Sequence, residues 1–143
     1  MLDSKITAIT PRFDVRDVTK AAEWYRDRLE FAVGNYFRPD GAEPLFVVVS
    51  RPPVAIQLMR RSVEAALKPR SVDMRLVGAY MYVKNIDRLF EHLKSFDDVT
   101  FIYELGDYAY SRREFGVLDP DGHYLGFAEE ARRQWRKRLQ RVE

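Results

Sequence analysis

One four-residue pattern occurs twice in this chain, and the same kind of sequence follows it each time. Val15-Arg16-Asp17-Val18 aligns with Val83-Lys84-Asn85-Ile86. In each copy a β-like run ends in valine, a basic residue, Asp or Asn, and an aliphatic residue. The pattern then turns helical: Val18, Ala21, Ala22, Tyr25 and Leu29 form one apolar stripe, and Ile86, Leu89, Phe90 and Leu93 form the other. Asp17 and Asn85 stand at the N-cap positions. A short side-chain oxygen there can accept a backbone N–H that the helix start leaves without an intrahelical partner. The two halves are built alike, so what one folds into the other folds into as well.

Strand signals follow each helix. Residues 31–38, 44–50 and 53–60 are rich in Phe, Val, Tyr and Ile, with turn residues at Pro39-Asp40-Gly41 and Pro52-Pro53. Residues 99–105, 108–118 and 122–128 repeat the plan. Asp119-Pro120-Asp121-Gly122 marks a tight turn, proline fixing φ and glycine free to take positive φ. Residues 61–75 link the halves and carry a short helical turn. Residues 130–141 read as a closing helix with Trp135 and Leu139 on one stripe. The expected fold is α+β: two βαβββ modules, about 5–60 and 76–129, in one domain of 143 residues with a C-terminal helix.

Composition narrows the chemistry. With no cysteine there is no disulfide framework, thiol nucleophile or thiolate metal site. No apolar run approaches the roughly 20 residues of a membrane span, and the N-terminus lacks the layout of a signal peptide. The expectation is a cytoplasmic protein with no membrane partner. The net charge of +2 comes from residues 129–143, which hold six basic and three acidic residues; the remainder, eighteen basic against nineteen acidic, is at −1. Such a balance is too weak for a nucleic-acid footprint.

VRDVTKAAEWYRDRLEF, from Val15, resembles the opening signature of the vicinal oxygen chelate superfamily. REFGVLDPDGHYLGFAE, from Arg113, resembles its closing signature in the form found among bleomycin-resistance-like proteins. That superfamily also holds glyoxalase I, fosfomycin-resistance enzymes and extradiol dioxygenases. The resemblance covers about residues 5–129. It implies two modules that each curve a mixed sheet into a cup, completed in a homodimer. It says much less about activity, because one fold hosts many.

In metal-dependent members the ligands come from the first and fourth strands of each module. By that resemblance the four positions here are Thr10, Gln57, Gly78 and Gly126. Two glycines offer no donor, a neutral hydroxyl is a poor one, and Gln57 alone cannot hold a divalent cation. The expectation is no metal and no cofactor, which argues against glyoxalase, dioxygenase and fosfomycin-modifying chemistry. The two histidines do not restore a site. His92 lies beside the apolar stripe of the second helix, and His123 follows the Asp-Pro-Asp-Gly turn.

Period-two alternation assigns the strand faces. Ala79, Met81 and Val83 suit the helix side, leaving Gly78, Tyr80 and Tyr82 toward the cup. Val54, Ile56 and Leu58 are core, with Ala55, Gln57 and Met59 opposite. Leu125 and Phe127 are core, with Tyr124 and Gly126 opposite. Beyond the interruption at Pro11, Thr10, Arg12 and Asp14 are assigned to the cup. Tyr103, Tyr108, Tyr110 and Arg112 form a polar-aromatic stretch unlike a plain core. The candidate ligand-binding residues are therefore Thr10, Arg12, Gln57, Met59, Tyr80, Tyr82, Tyr110, Arg112 and Tyr124.

Tyrosine joins an apolar ring to a hydrogen-bonding tip, which suits a pocket for a planar organic molecule; the same residues would also suit a dimer interface. Arg12 and Arg112 favour an aromatic or anionic compound over a cationic glycopeptide. The leading expectation is a metal-free, dimeric small-molecule-binding protein. The alternatives are a metalloenzyme of the superfamily and a metal-independent enzyme using a tyrosine or a carboxylate such as Glu43, Glu104 or Glu114. A domain that engages partners through its basic C-terminal helix is the remaining one.

Overall fold

The computed structural model describes residues 3–39, 41–62, 78–108 and 112–130. The chain divides into two compact units, residues 1–67 and 68–143. Among the described residues each contains one helix and one four-stranded mixed sheet, so the duplication read from the sequence is present as two βαβββ modules.

In the first unit the order is β1 (Arg12–Val15), α1 (Val18–Leu29), β2 (Ala32–Val33), β3 (Phe46–Arg51) and β4 (Val54–Arg60). The sheet runs β1-β4-β3-β2, with β1 parallel to β4 and the other pairs antiparallel. Asp17 caps α1 as the sequence predicts, its side chain accepting from the Lys20 N–H at 3.0 Å. The helix closes on Glu30 in the left-handed conformation (φ 59°), with the Glu30 N–H returned to the Arg26 carbonyl and the Phe31 N–H to that of Tyr25. Val18, Ala21, Ala22, Tyr25 and Leu29 are buried as the stripe requires, and α1 packs on β3 and β4 over Val47, Val49, Ile56 and Leu58.

Two strand expectations in this unit are corrected. The run 31–38 yields Ala32–Val33 and a single bridge, Phe37 to Phe46. Gly34 comes so close to β3 that its N–H reaches the Val48 carbonyl at 2.9 Å, where a side chain would collide with that oxygen; between Gly34 and Phe37 regular pairing lapses. The first strand begins at Arg12, leaving Thr10 outside it. Residues preceding Pro11 would lie level with the start of β4 at Val54, where their neighbour runs out.

In the second unit the order is β5 (Ala79–Tyr82), α2 (Ile86–Lys94), β6 (Thr100–Tyr108), β7 (Arg112–Leu118) and β8 (Tyr124–Glu130), and the sheet runs β5-β8-β7-β6. Tyr108 closes β6 rather than opening the next strand. An aromatic core joins helix to sheet: Phe115 stacks on Phe127 at 5.2 Å, and Phe90 of α2 meets Phe101 and Phe115 edge-on, each at 5.3 Å. Burying such side chains stabilises by about 1.5–3 kcal/mol each. The turn after β7 is as read from the sequence. Asp119 accepts from the N–H groups of Asp121 and His123 at 2.9 and 2.8 Å, and Gly122 adopts φ 87°.

The cap of α2 differs from expectation. Asn85 occupies the N-cap position but adopts φ 58° and makes no side-chain cap bond. Its place is taken from β8, where the Glu129 carboxylate accepts the Ile86 N–H at 2.7 Å. A negative charge at a helix N-terminus is favourable, and here it ties the helix to the neighbouring sheet. The linker 63–75 and the C-terminal helix with Trp135 and Leu139 lie outside the described residues. No helix among the described residues is long and apolar enough to cross a membrane.

Candidate functional site

The sheet of the second unit has one face on α2 and one turned away from it. Alternation places Met81, Leu125, Phe127, Phe115 and Val117 toward the helix. On the other face two rows of residues stand in register across β5, β8, β7 and β6. The first is Tyr80, Gly126, Gly116 and Tyr103; the second is Tyr82, Ala128, Glu114 and Gly106. Each row has large polar residues over positions with little or no side chain.

That arrangement allows Tyr80 to reach across a whole strand. Its hydroxyl donates to the Glu114 carboxylate on β7, although β8 lies between them. Neighbouring strands are about 4.8 Å apart, so the span is about 10 Å. It is bridged because Gly126 and Ala128 leave the surface of β8 almost bare. The room that the glycine leaves is thus used by the protein's own tyrosine.

Glu114 is 1% exposed, a carboxylate buried on a sheet face. Burial pushes its pKa above the ordinary value, and the hydrogen bond from Tyr80 opposes that shift. The Tyr103 ring lies over Gly116, where a Cβ would stand 2.5 Å from its Cε1. Burial first, then the nearby Glu114 charge, raise the pKa of Tyr103, and the same two causes raise Tyr108. Tyr103 and Tyr108 meet edge-on at 5.9 Å, and the Tyr108 hydroxyl donates to the Glu104 carbonyl at 3.1 Å. Tyr80 and Tyr82 remain 36% and 58% exposed, with ring centroids 5.6 Å apart. They form an exposed aromatic step beside the buried carboxylate.

The other expected site residues are distributed as follows. Tyr124 is on the same face but only 6% exposed, so it is a packed residue more than a contact surface. Tyr110 lies outside the described residues, and Arg112 is described through its backbone, opposite Tyr108 and Glu130. In the first unit Arg12 stands opposite Gln57, and Met59 lies between Asp14 and Phe46. Arg12 is exposed and Gln57 and Met59 are half-buried; Thr10 is exposed outside the strand. Of the other carboxylates, Glu104 pairs with Lys94 at 2.7 Å and Glu43 lies 3.9 Å from Arg60, both exposed. His92 packs edge-on against Phe96.

Thr10, Gln57, Gly78 and Gly126, the positions expected to face a metal, bring one neutral hydroxyl, one neutral amide and two residues without a side chain, a poor donor set for a divalent cation. Arg12 and Tyr80 are the direct ladder neighbours of Gln57 and Gly126, the fourth-strand positions. One pair brings a cation and a neutral amide, the other a phenol and no side chain. Among the described residues, no three His, Asp or Glu side chains come together in a way that could hold a metal ion.

The model of the glyoxalase/bleomycin resistance protein/dioxygenase superfamily matches residues 12–127, most of the chain and both modules. The chain belongs to this superfamily. Solved structures agree with the fold. A glyoxalase-related enzyme from Clostridium phytofermentans is 17% identical with a TM-score of 0.70, covering 90% of this chain and 98% of its own. TioX from Micromonospora sp. ML1 is 13% identical with a TM-score of 0.68, covering 87% and 99%. TnmS3, an antibiotic binding protein from Streptomyces sp. CB03234, is 16% identical with a TM-score of 0.64, covering 90% and 100%. No curated protein matches the sequence. At these identities the likeness is one of fold, and the superfamily spans enzymes and binding proteins.

Two features of the site were not read from the sequence. A glutamate in a strand ordinarily marks the solvated face, yet Glu114 is buried opposite Ala128 of β8, a placement that only the pairing register gives. The reach of Tyr80 over β8 could not be read without the pairing register.

Proposed function

We propose that this superfamily member is a small-molecule-binding protein that holds a planar organic compound against the Tyr80–Tyr82 step of the second module, without a resident metal. The observation carrying this reading is the exposed tyrosine pair backed by the buried, hydrogen-bonded Glu114. Aromatic rings that are already held in place lose little freedom on binding, and stacking on them contributes about 0.5–1.5 kcal/mol beyond area burial. The positions that the family resemblance assigns to metal ligands hold Thr10, Gln57, Gly78 and Gly126, one hydroxyl, one amide and two glycines, which supports binding over Lewis-acid chemistry. The antibiotic-binding description of TnmS3 supports the same class.

Taken by itself, the first sheet offers Arg12 with the half-buried Gln57 and Met59 near it, a set that also suits an aromatic or anionic compound. Sequestration by a homodimer in the cytoplasm is the form this reading takes. The test is a thermal-shift screen of aromatic acids, neutral planar aromatics and cationic glycopeptides. The reading predicts stabilisation by members of the first two groups; stabilisation by the glycopeptides alone would overturn it.

The Tyr80–Glu114 hydrogen bond favours one second reading, a metal-independent enzyme in which this pair moves a proton. It predicts substrate turnover that persists in chelator and is lost in Glu114→Gln, whereas the binding reading predicts no product at all.

A further inference from the structure

We propose that the first module carries a separate site for an apolar-tailed carboxylate, its hydrocarbon body on Phe37, Phe46 and Val48 and its carboxylate on Arg12. The site does not involve the Tyr80–Tyr82 step and stands or falls independently of the ligand assigned to the second module. Its starting point is the duplication. Aligning Val15 with Val83 sets Arg12 and Asp14 in the places of Tyr80 and Tyr82. The ladders then set Gln57 and Val48 in the places of Gly126 and Gly116, and Met59 and Phe46 in those of Ala128 and Glu114. The chemistry is exchanged between the modules. The second sheet has rings on its first strand and a carboxylate on its third; the first sheet has charges on its first strand and a ring on its third. Equivalent faces with exchanged groups recognise different molecules.

The face turned away from α1 is apolar at its β3 end and cationic at its β1 end. Val47 and Val49 are buried on the helix side, so alternation turns Phe46 and Val48 to the other face. Phe37 bridges to Phe46, and their rings stack at 5.0 Å. Phe37 is 47% exposed and Val48 36%, while Phe46 and Met59 are half-buried. Large apolar side chains grouped at a surface mark a contact site more than scattered ones do. Arg12 stands level with Gln57 and Val48 and is exposed, and no carboxylate among the described residues is ion-paired with it. Its guanidinium fits a carboxylate through two parallel N–H donors. Two strand spacings and one diagonal step separate Arg12 from Phe46, about 12 Å between Cα atoms. Asp14 lies in the row of Met59 and Phe46. An anion crossing straight along that row meets a like charge, whereas one crossing diagonally ends on Arg12.

The experiment titrates 6-phenylhexanoate and its neutral isostere 6-phenylhexanamide into the uniformly 15N-labelled full chain. Expected are saturable shifts of the Phe37, Phe46 and Val48 amides together with the Arg12 Nε–H resonance. The acid should bind about fivefold tighter than the amide at low ionic strength, and the preference should shrink in 1 M salt, as for an exposed ion pair. In Arg12→Gln, a change at an exposed position, the preference disappears while weak binding of both probes remains. In the Tyr80→Ala/Tyr82→Ala variant it is unchanged. Equal binding of the two probes to the natural protein, an unchanged preference in Arg12→Gln, or no binding of either overturns the inference and leaves the second-module reading to its own test. Shifts confined to Tyr80, Tyr82 and Gly126 overturn it in favour of that reading. Shifts at Phe37, Phe46 and Val48 on raising protein concentration alone, with none from the acid, also overturn it, because a second copy of the chain then covers the face. The comparison of acid and amide on the natural protein requires no variant to fold.

Discussion

Tyr80 and Glu114 stand on strands that are not neighbours, and the hydroxyl of the first donates to the carboxylate of the second across Gly126 and Ala128. Between them lies a strand whose face carries almost no side chain. The contact thus depends on small residues in β8 as much as on its two partners.

Burial holds the Glu114 pKa above the ordinary glutamate value of 4.5. The folded state then binds this proton more tightly than the unfolded chain. The group's contribution to stability is full below pH 4.5 and is lost as pH rises from there through the raised folded value. Asp27 and Asp87, whose pKa values are lowered by Arg26 and Arg113, act in the opposite direction in any variant that keeps them. Glu114→Gln stays neutral throughout. Thermal unfolding across pH 4 to 8 is expected to show the difference between variant and natural protein shifting in the variant's favour as pH rises; parallel curves would contradict it.

A Cβ at Gly116 would collide with the Tyr103 ring. Gly116→Ala is expected to cost about 1–3 kcal/mol, the usual range for overpacking. Pairing it with Tyr103→Leu should recover part of the loss, since the flat ring is what occupies the space. Denaturant unfolding of the two single variants and the double variant gives the coupling directly, and strict additivity would show that the ring does not depend on the glycine.

Removing the acceptor for the Ile86 N–H should fray the start of α2. Glu129→Ala is expected to cost about 1 kcal/mol, as loss of a cap does, and Glu129→Gln less, because it keeps an oxygen there. Hydrogen exchange at the Ile86 amide is the local readout, faster in Glu129→Ala than in Glu129→Gln.

Tyr82 is the more exposed member of the aromatic step. Its removal should therefore separate stability from binding. Tyr82→Ala is expected to change unfolding free energy by less than about 0.5 kcal/mol. It should weaken binding of a planar aromatic by about 1 kcal/mol, roughly fivefold. Circular-dichroism melting and a ligand titration on the same sample measure both.

The repeated Val-basic-Asp/Asn-aliphatic element made the architecture legible, because it carries the end of a strand, a cap and the start of an amphipathic helix in four residues. Strand faces were legible too: Ile56 and Leu58 are buried while Gln57 between them is half-buried, as period two demands. What escaped was set by tertiary register. Asn85 has the side chain of a cap, but its left-handed backbone turns it away and Glu129, from the far end of the module, supplies the oxygen. Gly126 reads in sequence as empty space, and pairing opposite Tyr80 determines what crosses it. Glu114 reads as a solvated strand residue because alternation names a face without naming what covers it.

The central claim is that the second module binds a planar organic molecule on Tyr80 and Tyr82 with no metal present. Its most direct test is a titration of 2-naphthoate, in excess EDTA, into uniformly 15N-labelled protein. The account predicts saturable shifts that include the amides of Tyr80, Tyr82 and Gly126 and are lost in a Tyr80→Ala/Tyr82→Ala variant that still melts cooperatively. Binding that appears after a divalent cation is added, and is absent in EDTA, would contradict it.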